Sequence, residues 1–471
     1  MTFDELISLI LELKKNSGCK SIKLNSKFIK KNDIFISISE DSKKNLENVS
    51  DAISKGAQLI ISSDKDQKNK NSSIKYFPNL KNKLGEISNI FYEEPSKNIK
   101  VFGITGTNGK SSVSYFLHQI FTKSNFRSAL LSSVKNKKKE IFFSELTTPD
   151  TFFLNQFISN LPDENYKSVI LEVSSHAIHQ KRIEGLDFNF GCFTNISRDH
   201  LDYHKSMKEY ARVKESFFLD NAFESCLINV DTSLGKKIKK INNNFFSFSS
   251  KQKNVDFFFD KKNVLHHDQK TYNLKNYSNS NFMQINLAMA LSLAIVSKLK
   301  INLKNIKNVL SPSGRFEKLE VIKGKYCVID YAHTPVALET ILSEVNLSHN
   351  GDVISIFGCG GDRDKGKRAK MGEIAEKYSN ELIITNDNPR WEDPLEIKKD
   401  IMKGLKKLSQ ANFIYDREEA IKKGFYLLES AKKDSVLLIA GKGHEDFQEI
   451  EGKKYSFSDK KIIQKLSDVV R

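Results

Sequence analysis

Short apolar runs alternate with helix-patterned stretches along most of the chain. Residues 1–15 place apolar side chains at helical spacing, with acidic residues before the lysines, which predicts an amphipathic helix and not a signal peptide. Apolar runs at residues 33–38 and 58–62 are separated by helical stretches and end in a polar tract at residues 62–75. This pattern predicts a small N-terminal α/β unit.

A second group of strands starts after the turn at residues 94–96. An apolar run at residues 99–102 leads directly into a glycine-rich turn and a helical pattern from Lys110 onward. Apolar runs at residues 168–176 and 190–197 each end in polar side chains. Polar residues at strand ends are typical of an open parallel sheet, where ligands bind at the carboxyl edge. The segment 234–281 shows no clear period and gives no prediction.

A third group of strands follows a helical stretch at residues 285–299 and a turn-rich hinge candidate at residues 311–315. Apolar runs at residues 327–332, 352–358, 381–386 and 435–441 alternate with helical stretches, which predicts a further parallel sheet. We expect three domains, at residues 1–96, 97–312 and 313–471. That number agrees with a length of 471 residues at roughly 150 residues per domain.

The positive net charge of the chain comes from lysines dispersed along the sequence and does not indicate a binding patch. The formal net charge is +17, but only ten of the 75 basic residues are arginine. Phosphate and nucleic-acid sites favour the arginine guanidinium, whereas dispersed lysine covers surfaces, so we expect no nucleic-acid partner. No window approaches the roughly 20 apolar residues of a membrane span.

The cysteines indicate the compartment. Five cysteines lie far apart in sequence, so neither a disulfide framework nor a CxxC metal site can be drawn. We therefore expect a reducing cytoplasm.

The glycine-rich turn GITGTNGKSS, residues 103–112, predicts a phosphate-binding loop. Such a turn between a strand and a helix lets backbone N–H groups converge on phosphate oxygens, with Lys110 as a point charge. Ser111 would place its hydroxyl on Mg²⁺. The spacing departs from GxxxxGK[ST], because Ile104 stands where the first glycine is usual.

Further polar residues follow the next strands of the central region. Glu172 ends an apolar run and offers a carboxylate for Mg²⁺. His200 follows the next run, within NISRDHLDYH, and becomes a site candidate beside the loop and Glu172. Lys214 lies in a helical stretch, where spacing alone favours a solvated lysine.

Four motifs follow the strands of the C-terminal region. They are DYAHTP at residues 330–335, GCGGDRDKGKR at 358–368, DNPR at 387–390 and GKGHE at 441–445. Because parallel strands end at one sheet edge, we expect the four motifs to meet there. Two of them pair arginine with acids, as a ligand with both amino and carboxylate groups requires.

The combined motifs resemble the Mur ligases. The resemblance also includes TTPDT at residues 147–151, EVSSHAIHQKR at 172–182 and EYARVKESFF at 209–218. It implies an α/β protein of three domains: a small N-terminal UDP-MurNAc-binding domain, a central P-loop ATPase domain with a parallel sheet, and a Rossmann-like C-terminal domain that binds the amino acid. It also implies that ATP phosphorylates the D-Glu γ-carboxylate of UDP-MurNAc-L-Ala-D-Glu, and that meso-diaminopimelate displaces the phosphate during cytoplasmic peptidoglycan precursor synthesis. A monomer is expected.

The resemblance also assigns roles to residues. The positions implied for ATP are Gly106, Thr107, Asn108, Gly109, Lys110, Ser111, Ser112, Asn286, Arg315, Asp330 and His333. Those implied for Mg²⁺ are Ser111, Glu172, His200 and Lys214, the last as a carbamate that supplies oxygen ligands. Lys110, Glu172, His200 and Lys214 form the implied catalytic set. Those implied for the muramoyl peptide substrate are Ser26, Thr147, Thr148, Ser174, Gln180 and Arg182.

The choice of amino acid is assigned to the C-terminal motifs. The implied contacts are Arg363, Asp387, Asn388, Pro389, Arg390, Gly441 and Glu445. Arg390 can hold the distal carboxylate of diaminopimelate bidentately, and L-lysine would leave this buried arginine unpaired.

Three alternatives stay open from the sequence. One is the L-lysine-adding ligase of the same family, and another is a ligase that resembles folylpolyglutamate synthetase. The third is a P-loop ATPase that binds nucleic acid through its net charge of +17.

Overall fold

The computed structural model describes residues 1–38, 41–67, 73–134, 136–137, 141–142, 146–275, 280–300, 309–406 and 411–470. Residues 68–72 of the predicted polar tract and residues 276–279 of the segment without a period lie outside the described residues. The helices are α1 (Phe3–Asn16), α2 (Ser42–Ser54), α3 (Leu84–Phe91), α4 (Lys110–Lys123), α5 (Thr151–Ser159), α6 (Ser175–His179), α7 (Leu201–His204), α8 (Met207–Leu219), α9 (Ser233–Lys239), α10 (Asn281–Val296), α11 (Pro335–Ser348), α12 (Arg368–Tyr378), α13 (Pro394–Met402), α14 (Arg417–Ser430) and α15 (Asp459–Val470).

The strands are distributed over the N-terminal, central and C-terminal parts of the sequence. They are β1 (Ile22–Lys23), β2 (Ile34–Ser37), β3 (Leu59–Ser62), β4 (Ile74–Tyr76), β5 (Lys100–Thr105), β6 (Ser128–Leu131), β7 (Asn136–Lys137), β8 (Ile141–Phe142), β9 (Ser168–Glu172), β10 (Phe190–Phe193), β11 (Ser225–Asn229), β12 (Phe245–Ser249), β13 (Phe257–Phe259), β14 (Val264–His267), β15 (Lys270–Asn273), β16 (Glu317–Ile322), β17 (Lys325–Asp330), β18 (Val353–Phe357), β19 (Glu381–Ile384), β20 (Ala411–Phe413), β21 (Val436–Ala440), β22 (Phe447–Ile450) and β23 (Lys453–Ser456).

The chain folds into two compact units. The first consists of Met1–Thr105, Asn125–Cys192 and Ser216–Ser225, and the second of Gly106–Ser124, Phe193–Glu215 and Cys226–Arg471.

The predicted N-terminal helix is α1. Thr2 Oγ1 accepts a hydrogen bond from Glu5 N (3.2 Å), and Thr2 N donates to Glu5 Oε2 (2.8 Å), which forms a capping box. Leu6 and Ile10, one helical turn apart, are fully buried in a core that also contains residues of β1, β2 and β3. The amphipathic pattern therefore gives both the helix and its buried face.

The first unit contains two parallel arrangements. The strands β1, β2, β3 and β4 form a parallel four-stranded sheet in that order. Separately, β9 lies between β5 and β6 and is parallel to both. The run at 168–176 is a strand only to Glu172, because Ser174 caps α6 by accepting from Ala177 N.

The second unit contains the predicted C-terminal sheet. Its strand order is β16, β17, β21, β18, β19 and β20, and the pairs from β17 to β20 are parallel. The four predicted strands are β17, β18, β19 and β21, and all five residues of β18 and of β21 are buried. The motifs that follow them therefore share one carboxyl edge, as predicted.

The segment without a period folds mostly into strands. It contains α9 and β12 to β15, of which β12 pairs with β11 in parallel and β13, β14 and β15 are antiparallel. No helix in the described ranges is long and apolar enough to cross a membrane.

Candidate active site

The glycine-rich loop after β5 requires glycine at two positions. Gly106 and Gly109 have φ angles of +147° and +85°. A Cβ on Gly106 would lie 1.9 Å from Thr194 Oγ1, and a Cβ on Gly109 would lie 2.6 Å from Asn286 Oδ1. Larger residues would push the loop away from these neighbours, so the glycines permit its close packing before α4 begins at Lys110.

The segment after β10 holds this loop through hydrogen bonds. Thr107 N donates to the Asn195 carbonyl (2.9 Å), and Asn108 N donates to Asn195 Oδ1 (3.0 Å). The Asn108 carbonyl accepts from Thr194 Oγ1 (2.7 Å) and from Asn195 Nδ2 (3.0 Å). The protein therefore fixes the shape of the loop by itself.

Polar side chains gather where α4 begins. Lys110 Nζ donates to the carbonyls of Gly106 (3.1 Å) and Thr107 (2.8 Å). The Ser111 hydroxyl accepts from Arg315 Nη2 (3.1 Å). A helix N-terminus attracts anions, and here it lies with an amine, a hydroxyl and a guanidinium. The structure thus brings together three of the residues predicted for ATP.

Asp330, at the end of β17, holds the backbone around it. Its Oδ2 accepts from Phe316 N and its Oδ1 from Ala332 N, both at 2.7 Å. Burial raises the pKa of the Asp330 carboxyl, although Arg315 acts in the opposite direction. Asp330 therefore fixes the segment that carries His333.

Asp199 is a buried carboxylate that receives basic groups from three motifs. His200 Nε2 lies 3.4 Å, His333 Nε2 3.5 Å and Lys367 Nζ 3.4 Å from its oxygens. Burial alone would raise the pKa of Asp199, but Lys367, His333 and His200 outweigh it and hold that pKa well below its usual range. The predicted residues His200 and His333 thus meet at a carboxylate that was not predicted.

Lys214 is buried, and the solvated-lysine interpretation is wrong. Its side chain lies on α8 with the residue only 1% exposed. Lys214 Nζ donates to the Gly106 carbonyl (2.8 Å) and lies 4.8 Å from the ring centroid of Tyr210. A buried amine needs hydrogen-bond partners, and the glycine-rich loop supplies one. Helical spacing alone could not show which face of α8 packs against this loop.

Glu172 ends β9 as a buried carboxylate, 3% exposed. Its Oε2 accepts from Ser132 Oγ (2.9 Å), Ser133 N (3.0 Å) and Ser133 Oγ (3.1 Å). Within the ranges that the structure describes, no three His, Cys, Asp or Glu side chains are grouped to hold a metal ion. Mg²⁺ commonly binds one or two protein oxygens together with substrate phosphates, and the Glu172 carboxylate and the Ser111 hydroxyl are donors of that kind.

Three of the residues predicted for the muramoyl peptide, Thr148, Ser174 and Arg182, lie together in the first unit. Thr148 Oγ1 donates to the Glu172 carbonyl (2.8 Å) and lies 3.2 Å from Ser174 Oγ. Arg182 Nη1 donates to the Thr148 carbonyl. Thr147 precedes this cluster, and Gln180 ends α6 with an exposed side chain.

Ser26 forms its hydrogen bonds with other residues than those of that cluster. It starts a 3-10 turn, and its carbonyl accepts from Lys55 Nζ (3.1 Å). No hydrogen bond between described residues joins Ser26 to Thr148, Ser174 or Arg182.

The carboxyl ends of β19 and β21 bring most predicted amino-acid contacts together. Asn388 Nδ2 donates to Glu445 Oε2 (3.0 Å). Lys442 Nζ donates to Asn388 Oδ1 and to Glu445 Oε2, both at 2.9 Å. Gly441 N donates to the Asp330 carbonyl (3.0 Å), which joins the ends of β21 and β17. Asp387 and Pro389 flank Asn388 in the same loop.

Arg390 is already engaged by the protein. Its Nε donates to Glu449 Oε2 (3.0 Å), and its Nη1 donates to the Gly361 carbonyl (2.9 Å). A bidentate grip on a substrate carboxylate, as expected from the sequence, would use the N–H groups of Arg390 that these two bonds leave over. Arg363 is exposed and donates to the Asp362 carbonyl (2.9 Å), and no hydrogen bond among the described residues joins it to Asn388 or Glu445.

Two family models match the chain, the Mur ligase middle domain over residues 104–310 and the Mur ligase glutamate ligase domain over residues 314–443. The UDP-N-acetylmuramoyl-L-alanyl-D-glutamate--2,6-diaminopimelate ligase of Wigglesworthia glossinidia brevipalpis is 36% identical over 475 residues, which cover 95% of this chain and 94% of that protein. The chain belongs to the Mur ligase family.

Solved structures of Mur ligases have the same fold. A UDP-N-acetylmuramoyl-L-alanyl-D-glutamate--2,6-diaminopimelate ligase superposes with a TM-score of 0.65 at 28% identity, over 96% of this chain and 95% of that one. The MurF ligase from Thermotoga maritima in complex with ADP superposes with a TM-score of 0.67 at 16% identity, over 97% and 100% of the two chains. The predicted α/β Mur ligase fold is confirmed.

Sequence reasoning missed several residues that support the C-terminal motifs of this Mur ligase. Arg417 Nε and Nη2 donate to the two oxygens of Asp459 (2.8 and 2.9 Å). Arg417 Nη2 also donates to the Ala440 carbonyl (3.1 Å) and Nη1 to the Asn386 carbonyl (3.3 Å). Ala440 and Asn386 directly precede the GKGHE and DNPR motifs, so this buried arginine supports both.

The missed residues differ in how far the sequence could have revealed them. Lys442 is fully buried and lies inside the GKGHE motif, so its place there was a usable signal. Glu449 and Arg417 lie outside every motif, and no spacing in the sequence points to their partners.

Proposed function

We propose that this Mur ligase adds meso-2,6-diaminopimelate to the D-Glu γ-carboxylate of UDP-MurNAc-L-Ala-D-Glu with ATP, in peptidoglycan precursor synthesis. The observation that carries the choice of amino acid is the meeting of Arg390, Asn388 and Glu445 at the ends of β19 and β21. The relatives named above, which share more than 90% of their length with the chain, support the same reaction.

The reaction has two steps, phosphoryl transfer and amide formation. The γ-phosphoryl group of ATP is transferred to an oxygen of the γ-carboxylate, which gives ADP and an acyl phosphate. The amino group of the incoming amino acid then attacks the acyl carbon and forms the amide bond. Inorganic phosphate leaves, and the nitrogen loses its excess protons.

The glycine-rich loop and the start of α4 would bind the ATP phosphates. The fixed loop, the Lys110 amine and the Arg315 guanidinium at Ser111 provide the positive field that a transferring phosphoryl group requires. We assign Asn286, which lies next to Gly109, and the loop of Asp330 and His333 to the nucleotide as well.

From the family resemblance we assign Mg²⁺ to the predicted set of Ser111, Glu172, His200 and Lys214. The ion would neutralise charge on the phosphates during transfer. The burial of the Lys214 amine against the Gly106 carbonyl supports the assignment of Lys214 as the carbamylated lysine. Carbamylation would replace a buried positive charge by oxygen ligands.

The C-terminal groups would bind the distal end of the amino acid. Arg390 suits its carboxylate, and Glu445 and Asp387 suit its ammonium group. Thr148, Ser174 and Arg182 would position the muramoyl peptide in the first unit. We keep a monomer, a cytoplasmic location and the three domain limits from the sequence as parts of the proposal. The five cysteines are buried and form no disulfide, which supports the cytoplasmic location.

The test is phosphate release by the purified protein with ATP, Mg²⁺ and UDP-MurNAc-L-Ala-D-Glu. Separate reactions contain meso-diaminopimelate, L-lysine or no amino acid, and product mass identifies the amide. We expect release with diaminopimelate, a small fraction of that rate with lysine, and none without an amino acid. Release with lysine instead would keep the ligase and contradict the assignment of Arg390, and release with neither would contradict the substrate assignment.

A further inference from the structure

The hairpin of β22 and β23 is bonded to the loop that carries Arg390. Arg390 forms a parallel bridge with Ile450. Arg390 N donates to the Glu449 carbonyl (3.1 Å), and Glu451 N donates to the Arg390 carbonyl (2.8 Å). Glu449 N in turn donates to Asn388 Oδ1 (2.9 Å). The main chain therefore holds Glu449 directly beside Arg390.

The side chains of Arg390 and Glu449 form a half-buried ion pair. Their side chains are 18% and 27% exposed, and Nε donates to Oε2 at 3.0 Å. At the other side, a Cβ on Gly360 would lie 3.0 Å from Nη1, so the glycine leaves room for the guanidinium to reach the Gly361 carbonyl. Two nitrogens of the guanidinium are thus fixed by the protein.

The third nitrogen is the one that remains for a ligand. Arg390 Nη2 donates no hydrogen bond to any other residue in the described part of the chain. Arg390 also has a φ angle of +55°, a conformation that is unfavourable for a residue with a long side chain. Such strain persists where surrounding contacts enforce it, and here the hairpin provides those contacts.

We propose that Glu449 is a specificity-determining positioning residue, which orients the Arg390 guanidinium so that Nη2 meets the distal carboxylate of the incoming amino acid. This proposal rests on the function proposed above and deepens it. Glu449 also keeps Arg390 paired when the site holds no carboxylate. Selection against L-lysine then comes from one missing charge-assisted hydrogen bond, and not from an arginine left without a partner.

This mechanism sets the size of the discrimination. One charge-assisted hydrogen bond corresponds to a preference on the order of 10- to 100-fold. A site that leaves buried polar groups unpaired can instead reject a substrate by roughly 10⁴-fold or more. The arrangement at Glu449 therefore predicts moderate selectivity for diaminopimelate over lysine.

The test compares Glu449→Ala, Glu449→Gln and the control Glu451→Ala. Glu451 lies on the same hairpin with an exposed side chain, and its alanine variant changes the net charge equally. KM and kcat are measured for meso-diaminopimelate, together with KM for ATP. Trp391 is the sole tryptophan, is 74% exposed and adjoins Arg390, so its fluorescence reports binding of diaminopimelate and of L-lysine without turnover.

We expect Glu449→Ala to raise KM for diaminopimelate about tenfold, since the guanidinium loses its orienting acceptor. The kcat, KM for ATP and lysine affinity should stay unchanged, because none of them uses Nη2. Glu449→Gln should stay close to the wild type, since its amide oxygen can still accept from Nε. Glu451→Ala should match the wild type.

Several results would overturn the proposal. An unchanged or lower KM in Glu449→Ala would mean that Glu449 is a bystander or a competitor of the substrate. Equal losses in the alanine and glutamine variants would exclude orientation through the acceptor. If Glu449→Ala does not fold, Glu449→Asp replaces it, with a raised KM expected from its shorter reach. A wild-type enzyme that releases no phosphate with diaminopimelate would overturn the proposed function instead.

Discussion

Replacing Asp459 by asparagine should destabilise the second unit severely. Asp459 and Arg417 are both fully buried, and they join through two hydrogen bonds of 2.8 and 2.9 Å. The variant keeps the size of the side chain but removes its charge. The Arg417 guanidinium stays charged and buried but loses the counter-ion bonded to it, which is the costly state of a broken buried pair.

The magnitude follows from that geometry. Removing one partner of a buried pair costs about 3–5 kcal/mol, and the asparagine oxygen recovers part of one hydrogen bond, so we expect about 3 kcal/mol. The matched control is Glu396→Gln on α13, which breaks an ion pair with Lys399 whose side chains are 55% and 64% exposed. Exposed pairs of this kind contribute little, because water and salt screen them.

The assay is urea unfolding followed by the fluorescence of Trp391, which lies in the same unit as Asp459. With a slope of about 1–3 kcal/mol per M urea, a loss of about 3 kcal/mol lowers the midpoint by on the order of 1 M or more. Glu396→Gln should leave the midpoint unchanged. Equal midpoints for the two variants would refute the reasoning, because they would mean that the buried pair is worth no more than a surface pair.

Three further outcomes follow from other sites. Gly109→Ala should lower ADP affinity at least about fivefold in calorimetry, because its φ of +85° and the 2.6 Å approach to Asn286 Oδ1 strain the loop. Hydrogen bonds from Arg368 lower the pKa of Glu392 from 4.5 to about 2. This pair therefore stabilises the fold above about pH 4.5, and the stabilisation is lost as the pH falls toward 2. In Glu392→Gln, the denaturation midpoint should lack the decrease that this loss causes between those pH values. Lys214→Met should fold but lose ligase activity, and removal of dissolved CO₂ should lower wild-type activity until bicarbonate is added; unchanged activity without CO₂ would contradict a carbamate.

The parallel sheets were predictable because their strands are buried on both faces. Strands β18 and β21 are apolar at every buried position except Ser355, and apolar runs of this kind indicate strands of a buried parallel sheet. The end of β9 was less clear, because the apolar run continues past Glu172 while Ser174 already caps α6. The polar motifs at the strand ends predicted where the site would lie.

Contacts between distant residues were not predictable. Helical spacing places Lys214 on α8 but cannot show that this face packs on the glycine-rich loop. Arg417 and Asp459 are separated by 42 positions, and Arg390 and Glu449 by 59, with no motif linking either pair. The strands β14 and β15 were not predictable, because β15 is largely exposed and its residues do not alternate between apolar and polar.

The buried guanidinium of Arg368 marks a position at which lysine cannot replace arginine. Arg368 is fully buried, and its two terminal nitrogens bind Glu392 at 2.7 and 2.8 Å, Asp400 at 3.1 Å and the Gly360 carbonyl at 3.1 Å. A lysine has one terminal nitrogen and cannot reach four acceptors spread around a plane. Although lysine is the commoner basic residue of this chain, Arg368→Lys would therefore remove hydrogen bonds that support the segment following the DNPR motif.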